Sequence, residues 1–344
     1  MRIVITGGSG NVGTALLQQL GPGGEHELVG ISRRRPPAEP PYSWAEWVTC
    51  DIGGEGAAVE LRDAFTGADA VVHLAWLIQP SRDRTTMRRT NVAGTAAVVE
   101  AAVAAGVPHL VHQSSVGTYA PAPGCTVDET WPATGIETST YSVDKAEAER
   151  IVDRAERHMI VSRTRPALIF QDVAASEVSR YFLGPLVPLA LIRRGLLRFA
   201  PLPQALAFQV VHADDVAAAI ELILARRAGG AFNIAADPVL GRAEFREMFG
   251  GVGPPVPPRV LRLAASATWH ARLQPTEPGW LDLAALVPTL DSGRLRELGW
   301  SPTRDARDVL RRFVAAMGRG AGRPGPLLHR ARSRNAQRHG SAPG

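Results

Sequence analysis

The sequence predicts an α/β fold, a doubly wound parallel sheet with a smaller C-terminal lobe, and three observations support this. Short β-branched apolar runs alternate with stretches of helical apolar spacing from the first residues to about residue 235. A glycine-rich turn, Thr6-Gly7-Gly8-Ser9-Gly10-Asn11-Val12-Gly13, joins the first such run to the first helical stretch. The alternation itself implies parallel strands, because each intervening helix brings the chain back to start the next strand in the same direction and covers one face of the sheet.

Taken in order, Arg2-Ile3-Val4-Ile5-Thr6 is a strand that stops at glycines, and Val12 to Leu20 is the helix behind it. Glu27 to Ser32 is the second strand, and the proline- and arginine-rich stretch Arg33 to Pro41 cannot continue as regular structure. Trp47 to Cys50 and Ala70 to Leu74 are the third and fourth strands, with a helix at Ala57 to Phe65 between them. Thr85 to Ala105 is a long alanine-rich helix, and His109 to Gln113 is a strand of the buried type. Ser139 to His158 is a second long helix, followed by a strand at Met159 to Arg165. Beyond Arg165-Pro166 the pattern loosens into an apolar helix over Val178 to Arg194, a strand at Phe208 to His212, a helix at Asp214 to Ala225 and a short strand at Ala231 to Ala235.

The expected organisation is a Rossmann-type dinucleotide-binding domain over 1–166, to which 208–235 return. A substrate lobe is expected from 167–207 and 236–316, where several prolines and Trp269, Trp280 and Trp300 fall. Residues 317–344 lack apolar periodicity and read as a disordered basic tail.

Composition narrows the function. Of 344 residues, 45% are hydrophobic, enough for a large core. The net charge of +5 hints at nucleic acid, but the eight arginines after Asp308 account for it, leaving −3 on residues 1–308. The tail arginines from Arg319 to Arg338 have no aromatic residue interleaved for stacking, so no nucleic-acid role is expected. Cys50 and Cys125 make neither a disulfide framework nor a metal cluster, which fits a reducing cytoplasm. The N-terminus lacks a signal-peptide pattern, and the apolar stretch Leu183 to Leu191 is broken by Pro185 and Pro188, so no membrane span is expected. No metal is expected: His109 and His112 have no ligand spacing around them, and His212 reads as packing at a strand end beside a helix capped by Asp214 or Asp215.

Two constellations carry chemistry. Gly7, Gly10 and Gly13, with Asn11 and Val12, form a turn through which backbone approaches a pyrophosphate at a helix N-terminus. At the end of the second strand, where an acidic residue would select NAD, stand Ser32, Arg33 and Arg34; hydroxyl plus guanidinium suits a 2′-phosphate, so NADP is expected, with NAD as the alternative. Asp51, after the third strand, is placed to meet the adenine edge. The second constellation rests on Lys145, the sole lysine among 38 basic residues, four positions after Tyr141. Positions i and i+4 share a helix face, so the ammonium is expected beside the phenol, where a positive charge lowers the tyrosine pKa and makes Tyr141 a candidate general acid/base.

These pieces together resemble the extended short-chain dehydrogenase/reductase family, the group that includes NAD-dependent epimerases and dehydratases. The matching motifs run in order: Thr6 to Gly13, Asp51-Ile52, His73-Leu74-Ala75, Asn91 to Thr95, Ser114 to Tyr119, Tyr141 to Lys145, Arg165-Pro166, Val211 to Ala217, Phe232-Asn233-Ile234 and Leu298 to Pro302. The resemblance implies proton transfer by Tyr141, a lysine, Lys145, that lowers its pKa and binds the nicotinamide ribose, and Ser115 orienting the substrate oxygen. It implies a supporting role for Asn91, cofactor contacts for Ile52, His73, Leu74, Ala75 and Pro166, and a homodimer through the helices near 85–105 and 139–158. Two departures stand at the substrate end. Trp76, followed by Leu77 and Ile78, replaces a second small residue, either as core packing or as a pocket wall, and Phe170-Gln171-Asp172 replaces the usual Tyr-Gly-Pro.

The expectation is therefore an NADP(H)-dependent oxidoreductase acting on a carbonyl or secondary alcohol of a fairly hydrophobic small molecule. The alternatives are a nucleotide-sugar epimerase or dehydratase that retains its cofactor, and a non-catalytic NADP-binding sensor.

Overall fold

A computed structural model describes residues 1–183, 194–199, 202–203, 206–251, 253–274 and 276–322. Seven strands build the central sheet: β1 (Arg2–Thr6), β2 (Glu27–Ser32), β3 (Glu46–Thr49), β4 (Ala70–His73), β5 (His109–Gln113), β6 (Ile160–Pro166) and β7 (Gly230–Ile234). They lie in the order β7-β6-β5-β4-β1-β2-β3, and every pairing is parallel. The strand order reverses between β1 and β4, whose ends are level at Thr6 and His73, and such a reversal opens a crevice at the carboxyl ends of the strands.

The period-2 alternation of each strand sorts its apolar residues onto two helical layers. Along β1, Ile3 and Ile5 join Val72 and Val111 against Leu16 and Leu17 of α1 (Asn11–Leu20) and Ile220 and Ile223 of a helix at Ala213–Arg226. Val4 points the other way, with Val71, Leu110 and Val161, onto Leu61 and Phe65 of α2 (Ala57–Phe65) and onto Val98 and Ala102. Each of these fully buried aliphatic side chains contributes about 2 kcal/mol, which fixes the strand ends that carry the site.

The alanine-rich helix expected over Thr85 to Ala105 is present but interrupted. α3 (Arg84–Arg88) passes into a single π-turn at Arg89–Ala93 and then into α4 (Gly94–Ala104). The cause is Asn91, whose side chain behaves like a strand partner to Leu77: its Oδ1 accepts from Leu77 N at 2.7 Å and its Nδ2 donates to Leu77 O at 2.9 Å. Thr95 Oγ1 then donates to the Asn91 carbonyl at 2.6 Å. π-bulges of this kind gather at functional positions.

The Tyr–Lys helix, α5 (Thr140–Asp153), is capped by Ser139 and ends earlier than its alternation suggests. The expected helix over Val178 to Arg194 starts at Ala175–Val178 and becomes a π-turn at Ser179–Leu183; residues 184–193 of that stretch lie outside the described residues. The boundary placed at 317 moves, because a helix runs over Ala306–Arg319 with Phe313 and Ala316 buried; residues 323–344 of the expected tail lie outside the described residues. The cap of the helix at Ala213–Arg226 is also corrected: the His212 ring accepts from Asp214 N at 3.1 Å, while Asp215 is taken up by Thr303. Among the described residues, no helix is long and apolar enough to cross a membrane.

Candidate active site

The crevice begins where β1 and β4 end. Gly7 has φ of +73°, and a Cβ there would lie 2.7 Å from Ala75 N, so the turns after β1 and β4 touch through backbone alone. Gly13 is tighter still, since its Cβ would stand 2.5 Å from the Gly7 carbonyl. The turn is closed by Gly10 N donating to Gly7 O at 3.0 Å, and Gly10, as the N-cap of α1, brings no side chain over the first-turn amides. A bare helix N-terminus reached through glycines is a fit for a pyrophosphate, which needs amide donors and a favourable dipole at close range.

From that turn a cleft of about 300 Å³ runs past Ser32, Arg33 and Arg34 on one side and Asp51, Ile52, Leu74, Ala75 and Trp76 on the other. Ser32 Oγ donates to the Arg34 carbonyl at 2.8 Å, which folds the basic loop against the end of β2. Asp51 is paired with Arg89 at 3.1 Å. Five expected cofactor residues, Asn11, Val12, Gly13, Lys145 and Pro166, do not line this cleft. Val12 and Gly13 are buried beneath the turn, and Pro166 is buried at the end of β6. Asn11 faces sideways, its Nδ2 donating to Ile169 O at 3.3 Å while Gln171 Nε2 donates to its Oδ1 at 2.6 Å and its carbonyl at 2.7 Å. Gln171 stands where the sequence shows only a lost glycine; a buried amide donor, it pins the glycine turn. His73 is likewise held in the sheet, between Thr6 Oγ1 at 2.7 Å and Thr95 Oγ1 at 3.0 Å, with burial pushing its pKa down to about 3.

Beyond β5 the backbone enters a short turn capped by Ser115, whose Oγ accepts from Gly117 N at 3.0 Å. Tyr141 and Ser115 meet beside Gly117, where a Cβ would lie 3.1 Å from Tyr141 Cε1 and 3.4 Å from Ser115 Oγ, and burial pushes the phenol pKa up to about 12, opposed by the Ser115 hydroxyl. One turn along α5, Lys145 is buried, donates to the Gln113 carbonyl at 2.8 Å and lies 3.6 Å over the Trp76 ring. Burial pushes the ammonium down to about 7, opposed by Glu149. Both shifts run opposite to the expectation that Lys145 lowers the Tyr141 pKa. Between them on the helix, Asp144 is bridged by Arg84 at 3.0 Å and Arg88 at 2.8 Å, locking α3, and through it the Asn91 turn, to α5.

Tyr141 borders a second, small cavity of about 20 Å³, lined by Leu77, Ile78, Met87, Thr140, Glu277 and Trp280 among others. Trp280 lies with its ring centroid 4.9 Å from that of Tyr141, and the Thr140 hydroxyl donates to Glu277. Trp280 and Glu277 are not legible as site residues in the sequence: they sit in an irregular stretch that carries neither periodicity nor motif. Trp76 faces the cleft, with its ring centroid 6.2 Å from that of Tyr141. Among the described residues, no group of three His, Cys, Asp or Glu is placed to hold a metal ion.

Residues 3–170, which contain the glycine turn, the cleft and the Ser115–Tyr141–Lys145 cluster, match the sequence profile of the NAD dependent epimerase/dehydratase family. Over those residues the chain is similar to that family. An uncharacterized protein of Mycobacterium tuberculosis is 29% identical over 323 residues, covering 92% of this chain but only 30% of the relative, so the chain spans about a third of the length of that protein. An L-arabinose 1-dehydrogenase (NAD(P)(+)) of Haloferax volcanii is 34% identical over 114 residues, 33% of this chain and 41% of that enzyme. Among solved structures, a dTDP-glucose 4,6-dehydratase of Streptomyces venezuelae with NAD bound superposes with a TM-score of 0.66 at 25% identity, over 92% of this chain and 96% of that one. The family so represented comprises NAD-dependent enzymes, as the cleft and its bare helix N-terminus suggest.

Proposed function

We propose that the chain is an NADP(H)-dependent oxidoreductase that interconverts a carbonyl and a secondary alcohol on a fairly hydrophobic small molecule. The single observation that carries the reading is the convergence of Ser115 and Tyr141 beside Gly117, beyond the carboxyl end of β5 and one helical turn from the sole lysine. The glycine turn, Ser32, Arg33 and Arg34 would hold the dinucleotide, which supplies the hydride when bound. Ser115 orients the substrate oxygen, Tyr141 gives or takes the proton at that oxygen, and Lys145 stabilises the phenolate and holds the nicotinamide ribose. Leu77, Ile78, Met87 and Trp280 form the apolar part of the wall beside Tyr141, on which the reading of an apolar substrate rests, while Gln79, Arg84, Asp144 and Glu277 are among the residues that line the rest.

Retention of the cofactor through an epimerase or dehydratase cycle is the second reading, favoured by the likeness to the NAD-bound dehydratase. Mass spectrometry of copurified nucleotide, followed by titration with NADPH and NADH, separates the two. A cleft that binds NADPH reversibly and more tightly than NADH supports the oxidoreductase, and a tightly retained nucleotide with no net reduction of added NADP refutes it.

Two variants test the nucleotide cleft. Ser32→Asp with Arg33→Ala is expected to weaken NADPH binding by about tenfold or more, the loss of one charged hydrogen bond, while sparing NADH. Unchanged preference in calorimetry refutes the NADP assignment. Gly13→Ala drives a methyl into the Gly7 carbonyl and is expected to cost about 1–3 kcal/mol in urea denaturation and to abolish binding of both cofactors. Retained binding at wild-type affinity refutes the pyrophosphate role of the turn.

A further inference from the structure

We propose that Trp76 is a positioning residue that holds the Lys145 ammonium and releases it when a nucleotide ribose enters the cleft, so that cofactor binding and activation of Tyr141 are one event. The proposal rests on the reading of the cleft as a dinucleotide site. The ammonium is enclosed from two sides, with the Gln113 carbonyl at 2.8 Å and the Trp76 ring centroid at 3.6 Å. Lys145 is 3% exposed, so a ribose diol reaches it only if the indole withdraws. The same indole reaches Tyr141, at 6.2 Å between centroids, and therefore touches both members of the pair that must cooperate.

Nothing but the cation fixes the ring's polar end. Trp76 Nε1 is buried and has no hydrogen-bond partner among the described residues, whereas a buried indole N–H ordinarily finds one. Trp76 also directly follows Leu74 and Ala75 at the end of β4, beside the glycine turn, and lines the cleft. A π face attracts a cation but accepts no directed hydrogen bond from it, so the two ribose hydroxyl oxygens are better partners for the ammonium and displace the ring. Support comes from the titration directions: burial holds Lys145 down at about 7 and Tyr141 up at about 12.

The sole lysine makes the test direct. Labelling the full chain with [13Cε]-lysine gives one methylene signal, from Lys145. In the free protein that signal is expected upfield of the free-lysine position because of the Trp76 ring current, and saturating NADPH is expected to move it downfield. Trp76→Leu is expected to start at the free-lysine position and to bind NADPH about tenfold more tightly, since no binding-competent population is withheld. Trp76→Phe keeps an aromatic ring and is expected to give an intermediate shift. An unshifted signal in the free protein overturns the proposal. So does calorimetric saturation with NADPH that leaves the signal in place, an outcome under which the oxidoreductase reading stands. Absence of binding heat with NADPH and NADH, in both the wild type and Trp76→Leu, overturns that reading and this proposal together.

Discussion

Tyr141→Phe is expected to lower turnover about a thousandfold, the usual contribution of a positioned acid/base, with little effect on folding or on NADPH affinity. The change removes one oxygen and keeps the ring that packs between Trp280, at 4.9 Å, and Trp76, at 6.2 Å. What is lost is the hydroxyl that, in the proposed mechanism, exchanges a proton with the reacting oxygen. Single-turnover measurement with NADPH, alongside calorimetric binding, separates chemistry from affinity. Full turnover in Tyr141→Phe refutes the proposed mechanism, and weakened binding with intact turnover reassigns Tyr141 to the cofactor.

The parallel sheet was legible because its signal is local. Short apolar runs such as Arg2 to Thr6, β-branched and stopped by glycines, and His109 to Gln113 have few other uses. The π-turn at Arg89–Ala93 was not legible, because it depends on Asn91 finding the Leu77 backbone 14 residues away, a contact that no helical periodicity encodes. The site shows the same division. Gly7, Gly10, Ser32, Arg33 and Asp51, read from the glycine turn and the strand ends, line one cleft with Leu74, which the family resemblance implied. The role of Gln171 was not legible because it is set by Asn11, 160 residues earlier in the chain, and that of Trp280 because its partner Tyr141 is also remote in sequence.

In this arrangement the Lys145 ammonium faces Trp76 and the Gln113 carbonyl. Spacing of i and i+4 places two side chains on one face, but it says nothing about the dielectric around them or about a third group, and here Trp76 takes the ammonium. The single lysine in an arginine-rich chain is consistent with that geometry: a compact ammonium fits between the Gln113 carbonyl and one ring face, whereas a planar guanidinium needs its five donors answered.

The largest effect on stability is expected one helical turn further along α5, at Glu149. Its carboxylate takes Arg165 in a two-pronged pair at 2.9 and 2.6 Å, with side chains only 3% and 7% exposed. The guanidinium also donates to Tyr119 Oη at 3.1 Å and to the Glu129 carbonyl at 3.2 Å, and Tyr119 donates in turn to Asn233 at 2.6 Å. One buried cluster therefore ties the helix that carries Tyr141 and Lys145 to β6 and β7. Glu149→Ala leaves the guanidinium buried without its counter-charge and is expected to cost about 3–5 kcal/mol, a large share of the roughly 5–15 kcal/mol that stabilises a folded domain. The urea midpoint should fall with an unchanged slope, and Glu149→Leu combined with Arg165→Met should recover most of the loss, because the unpaired charge is then gone. Because Glu149 also holds the Lys145 pKa up, the double variant is expected to regain stability without regaining full turnover at neutral pH. Recovery of both together would place Glu149 in the scaffold alone, and a wild-type midpoint for Glu149→Ala would refute the account of the pair.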